Sequence, residues 1–268
     1  MKVEQNPLLC KEANKLNISL FYFLHATLDS SWRGGSETIL CSHLYYITKG
    51  SATVVCNNNT TLTMEAGNWY LLPTGTSVKY WCDDFMEEFA FHFKLCNNDH
   101  ADLLFRTPGP YTLPIEEDIT KILFALLESN TSTNAIKLQN IIYSKLIDFI
   151  ETCNITFNQP KLSPCVSKSI SYINKNLSIQ ISATELSEKF FVSKSTVEKC
   201  FRKELGISVH EYLSDAVMLK ASELLRNTNM PIHDISEDLG FCDQFYFSKQ
   251  FKKKFGKSPR DFRNSPAI

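Results

Sequence analysis

The 268-residue sequence predicts an α+β chain: a β-rich N-terminal domain that ends in two helices, then an all-α domain with two helix-turn-helix units. Three observations carry this. Short apolar runs broken by turn residues fill residues 16–95, as in sandwiches and barrels. From Ile115 the apolar spacing changes to the three and four of helices. In the last third, a short helix, a turn and a basic-faced helix ending at glycine occur twice.

Charge divides the chain in the same place. Residues 1–158 hold 11 Lys+Arg against 17 Asp+Glu, and residues 159–268 hold 17 against 12. The domains are therefore placed at 1–158 and 159–268, and only the second is expected to meet a polyanion. No apolar stretch is long enough to cross a bilayer, and Met1–Pro7 lacks a signal-peptide core. The nine cysteines are scattered with no C-x-x-C pair, which fits reduced thiols and a cytoplasmic location; a redox-sensing pair stays open.

In chain order, residues 1–15 read as a polar lead-in and Ile18–Leu24 as a strand. Asp29–Ser36 reads as a loop around Gly34-Gly35. His43–Thr48, Ala52–Cys56, Thr60–Met64, Trp69–Leu72 and Val78–Cys82 read as strands separated by turns. In Phe89–Leu95 three phenylalanines alternate with Ala90, His92 and Lys94, which predicts one buried face. Asn97–Pro114 reads as irregular. Ile115–Ser129 and Ala135–Cys153 read as helices, the second with Leu138, Ile142, Leu146 and Phe149 on one stripe. Asn154–Ser167, with Pro160 and Pro164, reads as a linker.

A helix from Val166 to Asn176 opens the second half. Ser182-x-x-Glu185 reads as a capping box before the first unit. Ser193 caps that unit's second helix, which turns Val197 and Phe201 inward and Lys199, Arg202 and Lys203 outward. Ser208–Asn227 reads as one long helix joining the units. In the second unit Phe247, Phe251 and Phe255 form one stripe, Gly256 stops the helix and Pro259 follows.

The order Leu186, Ser193, Phe201, Gly206, Ala221, Leu224-Leu225, Ile232, Ile235, Gly240-Phe241, Tyr246-Phe247-Ser248-Lys249, Phe251, Gly256, Ser258-Pro259 and Arg263 resembles the DNA-binding domain of AraC/XylS transcription regulators. The resemblance covers about residues 165–263. The pattern departs at Val217, where arginine is usual, at Ser236, where alanine is usual, and at Phe191, where glycine is common. Leu44 to Pro73 is similar to the cupin-like barrel that precedes this domain in many such regulators. The resemblance implies promoter DNA as partner, activation through contact with RNA polymerase, a small organic effector in the barrel, and a homodimer formed by the helices after it. Leu138, Ile142, Leu146 and Phe149 are the dimer candidates.

A recognition helix offers its first exposed side chains to base edges. In the first unit these are Lys194, Ser195, Thr196 and Lys199, with Arg202 and Lys203 set toward phosphate or solvent. In the second they are Gln244, Phe245, Tyr246 and Lys249, with Lys252 and Lys253 toward phosphate or solvent. Asp243 reads as the helix cap and Lys254 as a phosphate or solvent group. Tyr22, Trp32, Arg33, His43, Trp81 and His92 are candidates to wall an effector pocket, and Arg33 and Lys49 to meet an anionic group on it. The histidines show no H-x-H spacing, so no metal or other cofactor is expected and each histidine reads as structural. No nucleophile–base pair or phosphate loop is present, which argues against catalysis. Two alternatives stand beside the regulator reading: a cupin-type enzyme with an appended helical domain, and a protein-interaction regulator that has lost DNA binding.

Overall fold

In the computed structural model, the described residues are 6–57, 60–97, 101–128, 130–157 and 162–264. Two compact units divide the chain, with the break between residues 158 and 159. Part of the expected linker, residues 158–161, lies outside the described residues.

The first unit begins with a helix where a plain lead-in was expected. Helix α1 (Pro7–Ala13) has proline at its first position, and Asn6 Oδ1 accepts the Leu9 N–H at 3.0 Å. Eight strands follow: β1 (Asn17–Asp29), β2 (Arg33–Thr38), β3 (Ser42–Cys56), β4 (Thr60–Glu65), β5 (Asn68–Leu72), β6 (Ser77–Trp81), β7 (Phe85–Cys96) and β8 (Tyr111–Pro114). Two of them, β2 and β8, occupy segments read as loops. In β2, Gly34 lets the strand lie against β6: a Cβ there would sit 2.3 Å from the Tyr80 ring. Strand β8 pairs with β5, Trp69 opposite Leu113.

Strand β3 is continuous through Lys49-Gly50 and serves two sheets. Its first half pairs with β7 and β5, giving the order β1-β7-β3-β5-β8. Its second half pairs with β4 and β6, and β6 with β2. The register shifts between Ile47 and Lys49, and Gly50 takes φ +67° where any Cβ would strike the Phe85 carbonyl. The described pairings do not close the sheet into the barrel expected from the sequence, and β1 and β8 remain edges.

Two apolar layers follow from strand parity. Leu24, Ala26, Ile47, Val54, Tyr70, Leu72, Val78, Met86 and Ala90 pack between the two sheets. On the opposite face, Leu44, Tyr46, Trp69, Phe89, Phe91 and Phe93 pack against α2 (Thr120–Leu127) and α3 (Ser132–Cys153). Strand β7 is thus buried on both faces, since Ala90 and His92 are buried as well as the phenylalanines. One buried face was expected, but a central strand between two layers loses the polar side of its alternation.

The second unit contains α4 (Pro164–Lys175), α5 (Ala183–Lys189), α6 (Lys194–Glu204), α7 (Val209–Asn227), α8 (Ile232–Asp238), α9 (Gln244–Phe255) and α10 (Pro259–Asn264). Helix α7 buries residues around its whole girth, including Val209, Leu213, Val217, Met218, Ala221 and Leu225, as a helix lying between two packed units must. Ser182 caps α5 by accepting the Glu185 N–H, but Glu185 does not return the bond. Its carboxylate accepts the Tyr172 hydroxyl at 2.7 Å instead. The reciprocal capping box is at Ser208 and Glu211, where α7 begins.

Candidate nucleic-acid interface and sensor site

The two helix-turn-helix units repeat each other in detail. Ser187 and Ser236 are both buried, and each hydroxyl donates to the carbonyl three residues back, Thr184 and His233, at 2.7 Å. The N–H of Val192 bonds the Ser187 carbonyl, and the N–H of Phe241 bonds that of Ser236. Ser236 thus fits where alanine is usual, and Val217, where arginine is usual, is wholly buried in α7.

Helix α6 starts at Ser193, whose hydroxyl accepts the Thr196 N–H at 3.1 Å and lies 2.8 Å from the Thr196 hydroxyl. Val197 and Phe201 anchor the inner face. Lys194, Ser195, Thr196, Lys199, Arg202 and Lys203 are exposed. The Ser208 N–H and hydroxyl hold the Glu211 carboxyl low, and nearby Arg202 adds to this. Helix α9 starts at Asp243, which accepts the Tyr246 N–H at 2.7 Å, the cap expected from its position. Phe247 and Phe251 are buried, and a ring series runs on through Phe255 to Phe262. Phe245 is 87% exposed and Tyr246 51%. Lys249, Lys252 and Lys253 are exposed, whereas Gln244 is half-buried. Among the described residues, Lys194, Lys199, Lys249, Lys252 and Lys253 enter no ion pair. Lys254 differs from them: its Nζ bonds Asp215 of α7 at 2.8 Å, so it ties two helices together.

An exposed face of cations, hydroxyls and aromatic rings on the first turns of two helices can neutralise phosphate and reach base edges. A large exposed apolar ring such as Phe245 can contact a thymine methyl.

In the first unit, the six pocket candidates fall into separate places. Arg33 and Trp81 line an open groove of about 450 Å³ with Gly34, Gly35, Lys79 and Tyr80. Trp32 packs on Tyr80 with ring centroids 4.4 Å apart. Tyr22, His43 and His92 come together elsewhere: His43 and His92 stack at 3.7 Å and 2°, and Tyr22 meets His92 edge-on at 5.4 Å. Lys49 is engaged by Glu87 at 2.8 Å.

Two of the histidines, which show no H-x-H spacing in the sequence, come together here. One donor atom each from Cys41, His43 and His92 all lie within 4.8 Å of one another. Part of the signal was present in Cys41-x-His43, but Cys41 lies one residue ahead of β3 and the partner strand that supplies His92 was not legible. Burial pushes the Cys41 thiol up to about 12 and the His92 imidazole down to about 3; His43 is also held low by burial and by His92.

Sequence reasoning also missed a buried carboxyl, Glu88. Glu88 is 2% exposed, shares its face of β7 with Met86 and Ala90, and burial raises its carboxyl to about 8. Its Oε2 and the Trp32 Nε1 have no hydrogen-bond partner among the described residues.

The expected dimer residues are core. Ile142, Leu146 and Phe149 are at most 2% exposed and Leu138 packs beside them, all against the chain's own sheet. The stripe read as an interface is the side of α3 that packs into the core beneath the chain's own sheet. Its outward face carries Ile136 and Ile147, 68% and 51% exposed.

Comparison with known proteins agrees with this geometry. A helix-turn-helix domain model matches residues 186–265. The chain is 28% identical to the Msm operon regulatory protein of Streptococcus mutans over 94% of each chain. It is 26% identical to the Lactose operon transcription activator of Staphylococcus xylosus over 85% of each. A crystal structure of ToxT from Vibrio cholerae with unsaturated fatty acid bound aligns over 94% of this chain and 96% of that one, with a TM-score of 0.62 at 17% identity. At that identity the likeness concerns the fold. No described helix is long and apolar enough to cross a membrane.

Proposed function

We propose that this chain, whose second unit is a helix-turn-helix domain of the AraC/XylS type, controls transcription by reading two successive major grooves of promoter DNA. The observation that carries the reading is the pair of recognition helices, α6 and α9. Each buries its apolar side and leaves Lys194, Ser195 and Lys199, or Phe245, Tyr246 and Lys249, exposed at its start. In this reading Lys199 and Tyr246 face bases, and Arg202, Lys252 and Lys253 face phosphates. Because α7 joins the units as one helix, half-sites lie about ten base pairs apart on one face of the duplex. The chain acts as an activator, as the name of the Staphylococcus xylosus relative encourages, and it does so by contacting RNA polymerase.

The effector is a neutral, hydroxyl-bearing molecule held between the two sheets. Glu88 and Trp32 belong to that layer and each has a polar atom that a hydroxyl would satisfy. A relative acts on a lactose operon, so sugars are the first class to test. Dimerisation uses the outward face of α3, where Ile136 and Ile147 lie three turns apart on one side.

The test is a gel shift with the full chain on fragments of its own upstream region. Binding that weakens steeply with salt, and that is abolished by five base pairs inserted between half-sites, supports the reading. Unchanged binding to the lengthened site refutes paired readout.

A further inference from the structure

We propose that Cys41, His43 and His92 form a buried site for a soft metal ion, zinc(II) or copper(I), that clamps the start of β3 to β7. This goes beyond DNA reading and does not depend on it.

Strand register assembles the site. His43 and His92 are direct cross-strand partners in the β3–β7 pair. Cys41 lies in the bend one residue ahead of β3, and that bend brings its Sγ to the two rings. The three donor atoms are already within 4.8 Å of one another. Metal–sulfur and metal–nitrogen bonds of about 2.3 and 2.0 Å draw them closer, which requires the two stacked rings to tilt out of parallel.

The donors select the metal. One thiolate with two imidazoles suits zinc(II) or copper(I), while magnesium, calcium and manganese(II) prefer oxygen. The site is also supported from behind. His43 Nδ1 lies 2.9 Å from the Tyr45 hydroxyl. In the loaded site Nδ1–H donates to that oxygen and leaves Nε2 as the ligand, the arrangement in which a second contact fixes a ligating histidine. Loading exchanges the Cys41 S–H bond for a sulfur–metal bond and releases one proton to solvent, with no change of oxidation state.

The experiment uses the full chain, stripped of metal and titrated separately with Zn²⁺ and, anaerobically, with Cu⁺. Co²⁺ serves as a coloured probe. The expected result is one tight equivalent per chain, a thiolate-to-cobalt charge-transfer band, and an X-ray absorption shell of one sulfur and two nitrogens. Tight uptake of Zn²⁺ assigns zinc, and tight uptake of Cu⁺ alone assigns copper. Cys41→Ser, His43→Gln and His92→Gln should each weaken binding more than about 100-fold, and Tyr45→Phe by roughly 10–100-fold. Replacing Cys165 of α4 and Cys200 of α6, two neighbouring thiols of the second unit, together by serine should leave binding unchanged. Absence of a tight equivalent, or one that survives all three ligand substitutions, overturns the proposal. Should a substitution unfold the chain, the wild-type absorption shell decides: all-sulfur or oxygen-rich coordination refutes the site.

Discussion

Phe191 and Gly240 occupy the same place in the two helix-turn-helix turns, and both lie in the left-handed region, at φ +55° and +80°. Each follows the cap of the unit's first helix, and each N–H bonds the carbonyl three residues earlier, Glu188 or Glu237. Gly240 has no alternative: a Cβ there would lie 2.1 Å from Ser178 Oγ. Phe191 is 96% exposed, so its backbone carries strain without a packing return. Phe191→Gly should therefore stabilise the chain by about 1 kcal/mol, and Gly240→Ala should destabilise it by roughly 2 kcal/mol or more. Urea unfolding of both variants checks the two signs.

Lys199→Ala should weaken binding to the preferred site by roughly 1–3 kcal/mol and relax selection at one base position. Lys252→Ala should weaken all sequences alike and lower the salt slope by about one. Affinity measured on a panel of single-base variants at three salt concentrations separates the two roles.

Glu88 makes stability depend on pH. Its folded-state value, about 8, lies above the ordinary 4.5, so the folded chain holds a proton that the unfolded chain releases. The contribution is fully present below about 4.5 and is lost as pH rises through about 8. Glu88→Gln should flatten this decline and raise stability at pH 8.5 by roughly 1–3 kcal/mol. Melting curves of both proteins from pH 5 to 9 would show it. A variant that melts lower than the parent at every pH contradicts it.

Ile142→Ala should destabilise the first unit by roughly 2–5 kcal/mol and leave the oligomeric state alone. Ile147→Asp should keep the fold and shift the sedimentation coefficient to that of a monomer. A monomer from neither change would place the dimer contact elsewhere.

What was legible depended on how local its cause is. Helices α6, α7 and α9 were readable because Ser193, Ser208, Asp243 and Gly256 mark their ends within the sequence itself. Strand β2 was not, because Gly34-Gly35 looks like a turn until Tyr80 is known to fill the space above it. The stripe of α3 was found but its partner was misjudged, since Ile142 and Leu146 look the same whether a sheet or a second copy covers them. The Cys41–His43–His92 cluster depended on the pairing of two strands some forty residues apart, a register that no local pattern encodes.

The shared strand β3 sets an order of events for a chain emerging from the ribosome. Its second half can fold back on β4 as soon as residue 65 is free. Strand β1 has no such neighbour, because its one partner among the described strands is β7, which ends at Cys96. For the whole interval between, the thirteen residues of β1 present both edges to whatever is near. Arrival of β7 then seals β1 and the first half of β3 in one step, slotting between two strands that never pair with each other. A nascent chain halted before residue 85 should therefore be a client for chaperones, and one halted some forty residues later, clear of the exit tunnel, should not.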